Sequence, residues 1–311
     1  MTKRIAKEAF FALLFVLTAL FLIGAASRAL KPERHDYGAV WEDFLAEAPH
    51  SMDYLVLGSS YVYCDIDPAA VEESAGLSGF CMAGPEQTMG ITYWYLRECL
   101  KTQSPKAVLI EGTALHFREF QDYTQVNLAY MPMGFNRLAA AFTVSEPELR
   151  CGILFDLYFY HDRWKEIFPP APEPDSAVFG RLRGFTPVEG TAENMDKAPF
   201  VRQPQPDAVY EKNLRWLKKA AALCQSRGIT PVLLFNPTYS QLPPEAMERA
   251  ARDAAAVDGL LYFDLSRSAG DIGLDPFRDY FDAGHLNAGG AGRFSRWLGA
   301  FLRENVPALA Q

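Results

Sequence analysis

The sequence predicts an α/β fold in which helices cover both faces of a five-stranded parallel sheet. Five short apolar runs have the length of strands, and most are followed by a helical pattern after a short link. Near-continuous apolar strands are typical of parallel sheets buried on both faces, and strand–helix alternation is typical of three-layer α/β/α domains. The five runs cover residues 52–58, 78–83, 106–111, 229–235 and 260–264.

Local signals place the helices between these strands. Asp67-Pro68 predicts a helix start, with Asp as the cap and Pro in the first helical position. Gly228 predicts a helix end, because glycine readily adopts the left-handed conformation that follows a last turn. The predicted helices cover residues 87–101, 206–227, 243–257 and 287–305.

Residues 115–205 break the strand–helix alternation. Within them, 138–142 and 148–168 have helical patterns, 169–174 is rich in proline, and 189–206 is polar. A long excursion from a compact α/β domain is usually an insertion at the strand ends, where ligands bind. The sequence therefore predicts one domain, residues 31–311, with a mainly helical insertion at about 115–205.

The N-terminal segment has the composition of a membrane span. An uncharged apolar run covers residues 9–27, and nineteen helical residues extend about 28 Å, close to the hydrocarbon thickness of a bilayer. Lys3, Arg4 and Lys7 precede it and favour a cytoplasmic N-terminus. We expect residues 1–30 to be an uncleaved single-pass anchor with the domain outside the cytoplasm. A signal peptide cleaved near 24–26 and a buried globular helix are the alternatives.

Composition excludes some classes of function. The 311-residue chain has a net charge of -8 and no basic stripe, which argues against a nucleic-acid partner. Its five cysteines lack paired or zinc-ligand spacing and are expected mainly as buried apolar side chains, although a disulfide stays open. Neither a metal-ligand cluster nor a glycine-rich phosphate loop is evident, so we expect no metal and no cofactor.

Two short motifs carry the candidate chemistry. Asp282 and His285 are three residues apart, so a carboxylate could orient an imidazole that acts as a base. Gly58-Ser59-Ser60 follows the first strand and offers a hydroxyl nucleophile. Each motif alone is common, since Gly-Ser-Ser usually forms a plain turn. Together they occupy the end of the first strand and the start of the last helix.

This arrangement resembles the SGNH (GDSL-type) hydrolase superfamily, and within it the membrane-anchored envelope branch of DltD-like, AlgX-like and AlgJ-like proteins. Gly58-Ser59-Ser60 stands where the family has Gly-Asp-Ser, and Asp282-x-x-His285 matches the C-terminal block. The resemblance covers roughly 50–115 and 205–305. It implies a flavodoxin-like sheet, with Ser60 as nucleophile, His285 as base and Asp282 as its orienter. Ser59 is the alternative nucleophile, and a surface-loop histidine is the alternative reading of His285.

The same resemblance assigns the oxyanion donors less completely. It implies the backbone N–H of Ser60 and of Gly84, although a plain turn before Pro85 also explains Gly84. Ala114 stands where many family members have a donating Asn. Loss of such a donor elsewhere lowers rates by about 10²–10³. Either Thr113 or the insertion substitutes, or hydrolysis is slow, or the protein is inactive.

Three further residues are candidates for substrate binding. His161 and Arg163 lie between aromatic residues and could bind a sugar or an anionic polymer, or could belong to a packed amphipathic helix. Asn236 follows the fourth strand at the edge where α/β sheets bind ligands, or it forms an ordinary turn.

By resemblance, we expect acyl-ester chemistry on a cell-envelope polysaccharide or polymer, as an O-acetyltransferase or esterase. A membrane-bound O-acyltransferase is then the expected partner. The alternatives are a catalytically inactive glycan-binding or scaffold subunit of an acylation complex, and a secreted lipase that acts alone.

Overall fold

A computed structural model of the chain describes residues 2–30, 39–167, 182–193, 195–197, 201 and 203–310. Its centre is a five-stranded, wholly parallel sheet with strand order β2-β1-β3-β4-β5. The strands are β1 (Tyr54–Gly58), β2 (Gly79–Ala83), β3 (Ala107–Glu111), β4 (Thr230–Phe235) and β5 (Leu261–Asp264). The sheet and all five strands confirm the prediction, each strand beginning one or two residues later than predicted.

Side chains of alternate strand residues enter two separate cores. In β1, Leu55 and Leu57 join one core, whereas Tyr54 and Val56 join the other. All four are buried, as expected for a strand covered on both faces. The sheet is therefore the middle layer between two layers of helices, which agrees with a three-layer arrangement.

Helices connect the strands and cover the two faces. They are α1 (Thr2–Leu30), α2 (Ala39–Ala46), α3 (Ser60–Tyr63), α4 (Pro68–Ala75), α5 (Met89–Cys99), α6 (Thr124–Tyr130), α7 (Phe135–Thr143), α8 (Arg150–Leu154), α9 (Asp156–Tyr160), α10 (Trp164–Ile167), α11 (Asp207–Gln225), α12 (Pro244–Ala255), α13 (Ala269–Ile272) and α14 (Ala288–Asn305).

Three of the predicted helix boundaries, at Asp67, Asn287 and Gly228, are confirmed by local structure, and the other predicted ends of the helices between the strands lie within two residues of those observed. The Asp67 carboxylate accepts the N–H of Ala69 at 2.9 Å at the start of α4, and the Asn287 side chain accepts the N–H of Gly290 at 3.0 Å at the start of α14. Gly228, after α11, has φ 70°. These contacts satisfy backbone groups that a helix end leaves unpaired.

Between β3 and β4 the chain forms α6 to α10. The helical pattern predicted over 148–168 forms the short helices α8, α9 and α10, because Phe155 is extended with φ -123° and ψ 103° and separates α8 from α9. The buried Arg137 of α7 holds this break, since it donates to the carbonyl of Ile153 at 2.7 Å and pairs with Asp156. The proline-rich loop 169–174 lies outside the described residues, and the insertion boundaries at 115 and 205 stay predictions.

Helix α1 is long and apolar enough to cross a membrane over Arg4–Leu30, and its most apolar stretch is not buried against the rest of the protein. It meets the rest of the protein near its C-terminal end, where it packs against α9. This exposure contradicts the alternative that the segment is a buried helix of a globular domain. A signal sequence would share the same length and composition.

The five cysteines are free thiols. Cys64, Cys81, Cys99 and Cys224 are buried, and Cys151 is exposed. Burial raises the pKa of the Cys224 thiol to about 12, as expected for a cysteine that acts as a small apolar side chain.

Candidate active site

The nucleophile turn lies at the carboxyl end of the central strand β1. Gly58 ends the strand, Ser59 caps α3, and Ser60 is the first residue of that short helix. A Cβ at Gly58 would lie 2.6 Å from the Glu111 Cβ and 2.7 Å from the Val62 Cγ2, so only glycine fits where β1, β3 and α3 converge. Ser59 is fully buried, whereas Ser60 is partly accessible.

Ser60, His285 and Asp282 form one continuous hydrogen-bonded chain. The Ser60 Oγ lies 2.7 Å from Nε2 of His285, although the two residues are 225 positions apart. Nδ1 of His285 lies 2.9 Å and 3.0 Å from the two carboxylate oxygens of Asp282. Because a carboxylate only accepts, Nδ1 carries the proton and Nε2 is the nitrogen that can accept from the serine hydroxyl. The geometry is that of an activated serine.

The Asp282 carboxylate is also fixed by its own loop. It accepts the backbone N–H of Gly284 at 2.7 Å and of His285 at 2.8 Å. Partial burial would raise the pKa of Asp282, but the hydrogen bonds and charge of His285, with these two backbone donors, lower it on balance. Asp282 is therefore held as a carboxylate that can stabilise an imidazolium.

Tyr61 forms a third contact with the imidazole. Its ring stacks on His285 with centroids 5.0 Å apart and planes inclined by 12°. The stack leaves both imidazole nitrogens in the plane of their partners, so Tyr61 restricts rotation of the ring without competing for a hydrogen bond. This contact could not be predicted from the sequence, because an aromatic residue after the serine has no fixed partner until the fold forms.

A buried ion cluster holds the loop that carries Asp282 and His285. The side chain of Asp279 is fully buried and pairs with Arg278 at 2.8 Å and with Arg293 of α14. Burial raises the pKa of Asp279, but the two guanidinium groups outweigh it and lower the pKa to about 2. Its carbonyl also accepts the N–H of Asn287 at 3.0 Å, which ties both ends of the loop together.

A second buried carboxyl, Asp65, lies behind the triad. One oxygen accepts the N–H of Leu286 at 2.8 Å, and burial raises the pKa of Asp65 to about 7. Asp65 and Asn236 are both buried. A side-chain hydrogen bond with Asn236 and the nearby charge of His285 oppose that rise in part. Asn236 also donates to the carbonyl of Tyr61. Asp65 and Asn236 therefore link the nucleophile turn to the loop that carries Asp282 and His285, which we call the histidine loop.

The three predicted oxyanion donors differ in whether their backbone N–H groups already have an acceptor. Ser60 is the first residue of α3, so its N–H has no acceptor within that helix. The N–H of Gly84 donates to the carbonyl of Gly58 at 3.3 Å, and the N–H of Thr113 donates to the Glu111 carboxylate at 2.7 Å. Gly84 or Thr113 would have to release that acceptor before it could serve an oxyanion, and both roles stay predictions.

Asn127 of α6 occupies the space beside Gly84. Its amide donates to the carbonyl of Pro85 at 2.8 Å, and a Cβ on Gly84 would lie 2.2 Å from its Oδ1. Glycine at position 84 is therefore required by the close approach of Asn127. Ala114 is fully buried in a 3₁₀ turn after β3 and supplies no donor from its side chain.

The three substrate-binding candidates lie in different surroundings. Asn236 is buried beneath the nucleophile turn, where its contacts are with Tyr61 and Asp65. His161 is exposed, and its Nδ1 lies 2.6 Å from the carbonyl of Tyr158. Arg163 donates to the carbonyl of Leu30 at the end of α1. Both residues lie between α9 and α10, and their binding roles stay predictions.

Across the described part of the chain, no group of three or more His, Cys, Asp or Glu side chains is arranged to hold a metal ion. No protein-family model matches the sequence, and no curated protein matches it at a significant level.

Proposed function

We propose that the protein is an SGNH-type serine esterase or acyltransferase that uses Ser60, His285 and Asp282. The observation that carries the proposal is the continuous hydrogen-bonded chain from the Ser60 hydroxyl through both nitrogens of His285 to Asp282. Three residues from two distant parts of the sequence meet with the order and spacing that serine activation requires. The placement of Ser60 at the carboxyl end of a central strand adds support.

The reaction follows from the roles of these atoms. As the Ser60 Oγ attacks the acyl carbonyl, its proton passes to Nε2 of His285, and Asp282 stabilises the imidazolium that forms. The N–H of Ser60 faces the developing oxyanion. His285 then protonates the leaving alcohol, and an acyl-Ser60 ester remains. Water or a second hydroxyl, deprotonated by His285, takes the acyl group and restores the serine.

The N-terminal helix suggests where this chemistry takes place. With Lys3, Arg4 and Lys7 on the cytoplasmic side, α1 would anchor the domain on the outer face of the membrane. The acceptor or donor would then be an acylated envelope glycan or polymer. A membrane-bound O-acyltransferase would be the partner that supplies the acyl group. These assignments rest on the family resemblance and the positive residues before α1.

A catalytically inactive scaffold or glycan-binding subunit is the second candidate. It is favoured by Ala114, which cannot donate, and by the acceptors already engaged by Gly84 and Thr113. The two candidates differ in one measurable property, since a scaffold does not need a reactive serine.

The test is turnover of a short-chain aryl ester by the full chain in mild detergent, without any partner protein. We expect Ser60→Ala to lower the rate at least a hundredfold, because the nucleophile is lost. Ser59→Ala is the matched control: its hydroxyl is buried and has no hydrogen-bond partner among the described residues, so the rate should stay within a few-fold. Turnover that survives Ser60→Ala but not Ser59→Ala would contradict the proposed nucleophile.

A further inference from the structure

The end of the membrane-spanning candidate is fixed to one part of the protein. Residues 4–18 of α1 are exposed, whereas small residues near its C-terminal end, among them Gly24, Ala26 and Ser27, are partly covered. Helix α9 packs against α1, and Arg163 donates to the carbonyl of Leu30 at 2.7 Å. The segment from α9 to α10 therefore lies beside the point where α1 would leave the bilayer.

The same segment, together with Phe155 just before α9, presents large aromatic side chains to solvent. Phe155, Tyr158 and Trp164 are 62%, 58% and 61% exposed, and we refer to these three residues as the aromatic rim. Lys165 stands 6.0 Å from the centroid of the Trp164 ring. Exposed aromatics grouped on one short segment are unusual on a free soluble surface and usually mark an interaction site.

We propose that the aromatic rim inserts into the headgroup region of the bilayer that α1 crosses. If the apolar run 9–27 fills the hydrocarbon layer, Leu30 lies about 4.5 Å past its end, at headgroup height. Arg163 binds the carbonyl of Leu30, so the aromatic rim beside it would lie at the same height. Tyrosine and tryptophan favour this region because it receives both an apolar ring and a polar edge, and Lys165 can extend its ammonium toward phosphate oxygens.

The rim would give the anchored domain a second contact with the membrane and so a fixed orientation. A helix alone leaves a domain free to turn about its linker, whereas the rim adds a contact through α9. The inference rests on α1 crossing a membrane, as the proposed location of the chemistry does, and is independent of Ser60 chemistry. A second copy of the chain is the other possible cover for the rim.

The experiment uses the full chain reconstituted in phosphatidylcholine–phosphatidylglycerol vesicles. Cys151→Ser removes the one exposed thiol, and Tyr158→Cys or Trp164→Cys then receives an environment-sensitive nitrobenzoxadiazole label. The matched control is Phe277→Cys, since Phe277 is also 60% exposed but lies outside α6 to α10. Quenching by lipids that carry a nitroxide near the headgroup is measured at each position.

We expect nitroxide lipids to quench the label at 158 and 164 by roughly half or more, with a blue-shifted emission, and to leave the label at 277 nearly unchanged. Equal, weak quenching at all three positions would overturn the proposal. A blue shift that grows with the number of proteins per vesicle, and that occurs without quenching by the nitroxide lipids, would also overturn it. A second copy of the chain would then cover the rim. Failure of the chain to float with the vesicles would overturn it as well, whatever the esterase assay shows.

Discussion

At the scale of single residues, His285 is constrained from three directions. Asp282 accepts from Nδ1, Ser60 lies against Nε2, and Tyr61 stacks on the ring face. Two of these contacts fix the protonation state of the imidazole, and the third limits its rotation. In the proposed reaction, an imidazole held in this way would be positioned before the substrate binds, which would lower the reorganisation needed in the transition state.

Tyr61 gives a prediction that separates positioning from chemistry. Tyr61→Ala should lower kcat/KM for a short-chain ester by about three- to tenfold, because a ring stack contributes about 0.5–1.5 kcal/mol. Tyr61→Phe keeps the ring and should stay within about twofold of the unsubstituted protein. The two variants are compared by steady-state kinetics. An equal loss in both would show that the hydroxyl, and not the stack, is responsible.

The sequence predicted the triad because each of its members belongs to a short motif. Ser60 follows a strand, and Asp282 and His285 are separated by one turn. Tyr61, Asp65 and Asn127 could not be predicted in the same way. Their partners lie in distant parts of the chain: Asp65 contacts Leu286, 221 positions later, and Asn127 reaches Gly84 from the region between β3 and β4.

At the scale of elements, the loop between α13 and α14 is held as a unit. Asp279 pairs with Arg278 and Arg293 near its start, Tyr280 bridges to Leu286 across it, and Asn287 returns to the Asp279 carbonyl. The loop therefore presents Asp282 and His285 from a closed turn. Its rigidity comes from buried charge pairing more than from regular structure.

Asp279→Asn should destabilise the protein by about 1–3 kcal/mol, because the amide cannot form the charged hydrogen bonds that the buried carboxylate makes with Arg278 and Arg293. Urea unfolding of the full chain in mild detergent measures the change. Asp271→Asn, an exposed substitution in the nearby α13, should stay within about 0.5 kcal/mol. Similar effects of the two substitutions would contradict the role given to Asp279.

Strands and capped helices could be predicted from sequence, because apolar runs and capping residues act locally. The break between α8 and α9 could not. It depends on Arg137, which reaches the carbonyl of Ile153 from 16 positions away. A helical pattern over 148–168 has no local residue that requires the interruption, so long-range hydrogen bonding decides it.

At the scale of the whole molecule, Asp65 and Asn236 join its two halves behind the site. The first half supplies Asp65 and Tyr61, and the second supplies Asn236 and Leu286. Both the Asp65 and Asn236 side chains are buried, and the protonation of Asp65 is therefore coupled to folding.

The raised pKa of Asp65 predicts that the protein becomes less stable as the pH rises. Its pKa is about 7 in the fold against an ordinary value of 3.8, so the folded state binds the extra proton between these values. The free energy of unfolding should fall by about 1.4 kcal/mol per pH unit from this group between pH 4 and 7, and level off above. Asp65→Asn should remove that decline and be more stable than the unsubstituted chain at pH 8. Parallel pH profiles of the two proteins, from urea unfolding in detergent, would contradict the burial of an uncharged Asp65.

The most direct test of the central claim is labelling of the full chain with a fluorophosphonate probe, followed by mass spectrometry of the modified peptide. An activated serine predicts one adduct on Ser60 that disappears in Ser60→Ala and is strongly reduced in His285→Ala. Ser59→Ala, as the control, should label normally. An adduct on Ser59, or no adduct on a chain shown to be folded, would contradict the assignment of Ser60, His285 and Asp282 as a working triad.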